Sequence, residues 1–181
     1  MFAAVPVAKA LFTGAGAGTG VSAAPDTRAM PNTGLDAAAH SLRTWLNSQH
    51  FTDLTAHQVT RFLTDSTTQW ADSLGYNAHR EVWLPAEPEQ PRPKRLDLQL
   101  KHRSGKGRLI SIEIDRSSKL LSLEKLTKAA ELGDHALWLR WSRDHVRVPI
   151  PPTVRLIRAH VLRRTVIHGP DRYSLQVESC G

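Results

Sequence analysis

Three carboxylates, Asp97, Glu113 and Asp115, stand in strand-patterned segments where an apolar residue is the usual occupant. Asp97 lies in Arg95–Leu100, where Leu96, Leu98 and Leu100 alternate with Asp97 and Gln99. Glu113 and Asp115 lie in Leu109–Asp115, offset from Ile112 and Ile114, and because a strand repeats every two residues both must point the same way. The intervening Ser104-Gly105-Lys106-Gly107 has the glycine content of a hairpin connection, and direct pairing of the two strands brings Asp97 near the other two acids. Three carboxyl groups converging on one side of a small sheet repel one another unless a cation sits among them.

The elements that must position them run from Arg95 to Trp141, read as strand, tight basic turn, strand, helix, strand. The helix spans Leu121–Leu132 and Gly133 ends it; the last strand, Ala136–Trp141, sets Leu137, Leu139 and Trp141 opposite Trp138 and Arg140. Upstream, Leu35–Gln49 carries one helical stripe, Leu35, Ala38, Ala39, Leu42, Trp45 and Leu46. A second helix, capped by Asp53 or Thr55, runs to about Leu74 on a face of Val59, Phe62, Leu63, Trp70 and Leu74. Glu81–Leu84 reads as a short strand, and Pro85–Pro93, with four prolines, as a loop that cannot join a ladder. Downstream, Val146–Ile150 reads as a strand stopped by Pro151-Pro152. Val154–Val166 reads as a basic C-terminal helix, with Leu156, Ile157, Val161 and Leu162 at helical spacing. The expected order is α-α-β-β-β-α-β and then this helix. Residues 1–31 form an Ala/Gly-rich disordered tail, 35–172 a single domain, and 173–181 a short tail.

Charge is unevenly placed. Residues 1–93 hold six Lys/Arg against eight Asp/Glu, whereas 94–128 hold ten against four and 140–172 eight against two. Most of the net +7 therefore surrounds the carboxylates, as suits a polyanionic partner held over a divalent metal. Arg140, Arg143, Arg147, Arg155 and Arg158 are the candidate nucleic-acid contacts, because phosphate oxygens accept forked donors. No apolar run reaches membrane-spanning length, so a soluble, cytoplasmic chain is expected. The single cysteine, Cys180, excludes an internal disulfide framework and a cysteine zinc cluster. Gly14–Gly20 fits neither the P-loop nor the G-x-G-x-x-G pattern. Val21-Ser22-Ala23 resembles a signal cleavage site, but no Lys or Arg precedes Lys9 and glycines break the apolar run. Ser122-Leu123-Glu124-Lys125 matches S-x-x-K without a following K-T-G, and none of the nine histidines forms H-E-x-x-H.

A helix followed by three strands, with Asp on the second and Glu on the third, then a helix and a strand, resembles the PD-(D/E)XK nuclease superfamily, the restriction-endonuclease-like fold. The matching pieces are Asp97 in RLDLQL and Glu113-Ile114-Asp115 in ISIEID, and the resemblance covers about Ala56–Trp141. It implies an α/β core with a central mixed sheet flanked by helices and metal-dependent phosphodiester hydrolysis of nucleic acid, with DNA the expected substrate. It further implies Mg²⁺ or Mn²⁺ on Asp97, Glu113 and the main-chain carbonyl of Ile114. The family's lysine two residues past the glutamate is here Asp115. The missing cation then falls to Lys125 on the following helix, or to Lys119 in the turn before it, while Asp115 assists. An acidic or polar residue of the first long helix, among Gln58, Asp65, Gln69 and Asp72, is expected to face the site. A homodimer would suit a double-strand cutter. The alternatives are a nuclease-fold protein that binds nucleic acid without cutting, and a scaffold with no nucleic-acid role.

Overall fold

The computed structural model describes residues 33–86 and 93–176, an α/β unit with a five-stranded mixed sheet, a three-stranded sheet and three helices. In chain order the elements are α1 (Thr33–Asn47), β1 (Phe51–Leu54), α2 (Ala56–Ser73), β2 (Tyr76–Trp83), β3 (Arg95–His102), β4 (Ile110–Asp115), α3 (Leu120–Glu131), β5 (His135–Arg140), β6 (Val154–Arg158), β7 (Leu162–Arg164) and β8 (Arg172–Leu175). The larger sheet has the order β2-β3-β4-β5-β6, antiparallel from β2 to β4 and parallel from β4 to β6. The smaller is β1-β8-β7, all antiparallel. The tail expected over 1–31, the Gly-rich stretch within it and Cys180 lie outside the described residues.

The large sheet is covered on both faces. Ile112, Ile114, Leu137 and Leu139 pack with α1 and α2 residues such as Leu42 and Leu63, whereas Trp138 and Ala136 pack with Leu123 and Leu126 of α3. Every residue of β4 is buried, as expected for a central strand entering a parallel arrangement. A capping box starts α2: the Thr55 hydroxyl accepts from the Gln58 amide, and the Gln58 side chain accepts from the Thr55 amide at 2.8 Å. Thr55→Ala is expected to lower stability by about 1 kcal/mol, read as a shift of the urea midpoint at unchanged slope.

Three expectations are corrected. Val154–Val166 is not a basic helix; it forms β6, a bend and β7. In a strand covered on both sides, adjacent apolar residues point to opposite faces: Ile157 enters the α1/α2 core while Leu156 packs on the α3 side. Such a run mimics helical spacing. Val146–Ile150 is irregular, although Val146, Val148 and Ile150 still pack on the α3-side core. Part of the C-terminal tail is ordered, since Arg172–Leu175 is the central strand of the small sheet with Tyr173 and Leu175 buried.

Candidate functional site

The site forms where β3 and β4 part. Their pairing ends at Leu98↔Ile112, so the next opposed residues in the same register are Asp97 and Glu113. There the carboxylates take the place of the ladder. The Asp97 amide donates to Glu113 Oε1 at 3.1 Å, and the Ile114 amide donates to Asp97 Oδ2 at 2.7 Å. The α3 helix brings Lys125 to the same point: its ammonium lies 2.5 Å from Glu113 Oε2 and donates to the Arg95 carbonyl at 2.8 Å. Glu113 is 1 % exposed. Burial, and then the adjacent Asp97 carboxylate, push its carboxyl up to about 7 despite the Lys125 ammonium. Burial also raises Asp97, partly offset by the hydrogen bond from Ile114.

Asp115 points to the same side as Glu113, adds its charge to the cost of ionising Asp97, and has partners of its own. The buried Trp138 indole donates to its Oδ2 at 3.0 Å, and Lys119 meets its Oδ1 at 2.8 Å. The hydrogen bond to Asp115 raises the Lys119 ammonium above its ordinary value. Lys119 is solvent-exposed whereas the Asp115 carboxylate is buried. Asp115→Ala, which strands a buried indole N–H, should therefore cost about 1–3 kcal/mol, against less than about 1 kcal/mol for Lys119→Ala. Chemical denaturation of the two variants at pH 8 checks that order.

Asp97, Glu113, Ile114, Asp115, Lys119 and Lys125 all line one open cleft of about 790 Å³. Its far wall is the α2 face of His57, Thr60, Arg61 and Thr64, with Arg80, Glu81, Arg116 and Trp141 at the margins. None of the four α2 residues expected to face the site lines it. Gln58 serves the cap, Asp65 pairs with Arg80, Asp72 pairs with Arg103, and Gln69 is exposed elsewhere. The true face was readable in principle, because 57, 60, 61 and 64 share a helical stripe beside the buried one. Glu81, opposite Asp97 in the β2–β3 register, has a φ of 55°, a left-handed conformation costly for a residue with a side chain. Its carboxylate pairs with Arg95 at 2.5 Å and adds to the negative field on Asp97.

The five arginines expected on phosphates separate. Arg140 is the correction: it is 1 % exposed, stacked over Trp138 and bonded to the Arg116 carbonyl, because its register position beside Asp115 turns it inward. Arg155 is engaged with Asp36 and the Pro152 carbonyl. Arg158 ties down the carbonyls of Ser142, Arg143 and Asp144. Arg143 and Arg147 are exposed.

Among the described residues, no three His, Cys, Asp or Glu side chains form a group able to hold a metal ion unaided. The two facing carboxylates are the half-buried Asp97 and the buried Glu113. Both supply hard oxygens, and the two lie close enough to raise each other's charge cost. Magnesium commonly takes one or two carboxylates and completes its shell with water and substrate phosphate, so this pair fits such an ion. No helix among the described residues is long and apolar enough to cross a membrane. Neither a family model, nor a curated protein, nor a solved structure matches the chain.

Proposed function

We propose that this chain is a divalent-metal-dependent nuclease of PD-(D/E)XK type, acting on DNA. The observation that carries the reading is the parting of β3 and β4, which sets Asp97 and Glu113 face to face on the wall of an open cleft with Lys125 on Glu113. The element order α2-β2-β3-β4-α3-β5, with β4 and β5 parallel, supports the same reading. Asp97 and Glu113, with the Ile114 carbonyl, would hold Mg²⁺ or Mn²⁺. When bound, such an ion activates water and offsets charge on the phosphodiester.

The chain's own groups do the rest. Lys125, anchored through the Arg95 carbonyl, keeps a positive charge beside Glu113, in the role that falls vacant with Asp115 two residues past the glutamate. Asp115, fixed by Trp138 and Lys119, orients the turn into α3. Arg61, Arg80 and Arg116 place cations around the acidic floor, where a phosphodiester strand would lie. Incubation with plasmid and single-stranded DNA tests the proposal: products are expected in Mg²⁺ or Mn²⁺ and none in EDTA. A second reading, binding without cutting, is favoured by Asp115 in the family's lysine position, and would give salt-sensitive binding with no cleavage in any metal.

A further inference from the structure

A second, smaller cavity of about 250 Å³ shares two walls, Arg116 and Trp141, with the cleft. The Trp141 amide donates to the Asp115 carbonyl at 3.0 Å, so the cavity adjoins the end of β4 directly. Arg116, Arg143 and Arg163 line it, against one acid, Asp144. The Asp144 carboxylate accepts from the Ser142 hydroxyl at 2.7 Å, and Arg163 is paired with Asp171 at 2.6 Å. Arg116 lies over the Tyr173 ring, which meets Trp141 edge-on with centroids 5.3 Å apart. Both rings are at most 4 % exposed, and both carry a polar atom, Trp141 Nε1 and Tyr173 Oη, with no hydrogen-bond partner.

The two rings that wall this cavity therefore each keep a buried donor without a partner, which is costly unless an acceptor reaches it. With Arg163 held by Asp171, the Arg116 and Arg143 guanidinium groups are left to attract an anion. We infer that this cavity holds a phosphate of the nucleic-acid strand adjacent to the one over Asp97 and Glu113, gripped by Arg116 and Arg143 beside the Trp141 and Tyr173 rings. The inference rests on the nuclease reading for the identity of the strand, but not on cleavage. The phosphate seat would fix the register of the strand in the cleft without reading its bases.

The test is fluorescence anisotropy of a short labelled single-stranded DNA in EDTA, over a salt series, with the whole chain and its Arg143→Ala/Tyr173→Phe variant. The Tyr173→Phe change removes only a hydroxyl that has no partner, so the packing survives and melting curves verify it. Expected is a roughly tenfold loss of affinity and a salt slope lower by about one. Excess inorganic phosphate should narrow the gap between the unaltered chain and the double variant. Affinity and slope unchanged in the double variant would overturn the inference, even where the unaltered chain cuts DNA. Weakened binding by a chain that never cuts would uphold the seat and remove the nuclease reading instead.

Discussion

Glu113→Ala is expected to abolish the proposed metal-dependent cleavage, with a loss of at least about 10³-fold in rate, because several kcal/mol of charge stabilisation would depend on an ion this side chain helps to hold. Glu113 is the centre of the site: one oxygen accepts the Asp97 amide and the other meets Lys125. Truncation also leaves the Lys125 ammonium, itself only 12 % exposed, with the Arg95 carbonyl alone. Glu113→Gln therefore accompanies it, keeping the shape while removing the charge. Both variants should retain native circular dichroism and lose cleavage. A Glu113→Gln protein that cuts at the unaltered rate would remove the residue from the chemistry.

The second large effect is on stability. Glu113 is raised from the ordinary 4.5 to about 7 in the fold, so the folded chain binds this proton more tightly than the unfolded one. The associated stability is fully present below pH 4.5 and is lost as pH rises through 7, a fall of about 3 kcal/mol across that window. Asp97, also raised, acts in the same direction. Burial lowers His135, which works oppositely, since its stability is present above 6.5 and lost as pH falls. Comparing the unaltered chain with Glu113→Gln cancels His135. The difference in unfolding free energy should shift by about 3 kcal/mol between pH 4.5 and 8, in favour of the unaltered chain at acid pH. At the proposed metal site a divalent cation would replace the proton, so at pH 8 saturating Mn²⁺ should restore about 2–3 kcal/mol to the unaltered chain and nothing to the variant. Curves that stay parallel across pH and metal would contradict the electrostatics described here.

The centre of the fold and its first two long helices were legible in the sequence, and the last third was not. Alternation of Leu96, Leu98 and Leu100, and of Ile112 and Ile114, marks β3 and β4, and a carboxylate interrupting each pattern marks the site. The two lysines proposed from sequence both reach carboxylates, Lys125 at Glu113 and Lys119 at Asp115. Sequence spacing cannot choose between them, since the choice depends on where α3 crosses the sheet. The last third failed for a different reason. Strands buried on both faces lose the alternation that identifies them, so Leu156-Ile157 reads as one side of a helix. β1 and β8 have four residues each, too short for a period to show. Arg140 counts as surface charge in any composition argument, and only its register beside Asp115 reveals that it is interior.

The central claim is that Asp97 and Glu113 form a metal site with the Lys125 ammonium beside it. Crystals soaked in Mn²⁺ at pH 8 and measured for anomalous scattering test it most directly. One strong peak is expected between the two carboxylates, with Lys125 still anchored on the Arg95 carbonyl, and no peak in Asp97→Asn crystals. Saturating Mn²⁺ with no peak at the pair would contradict it.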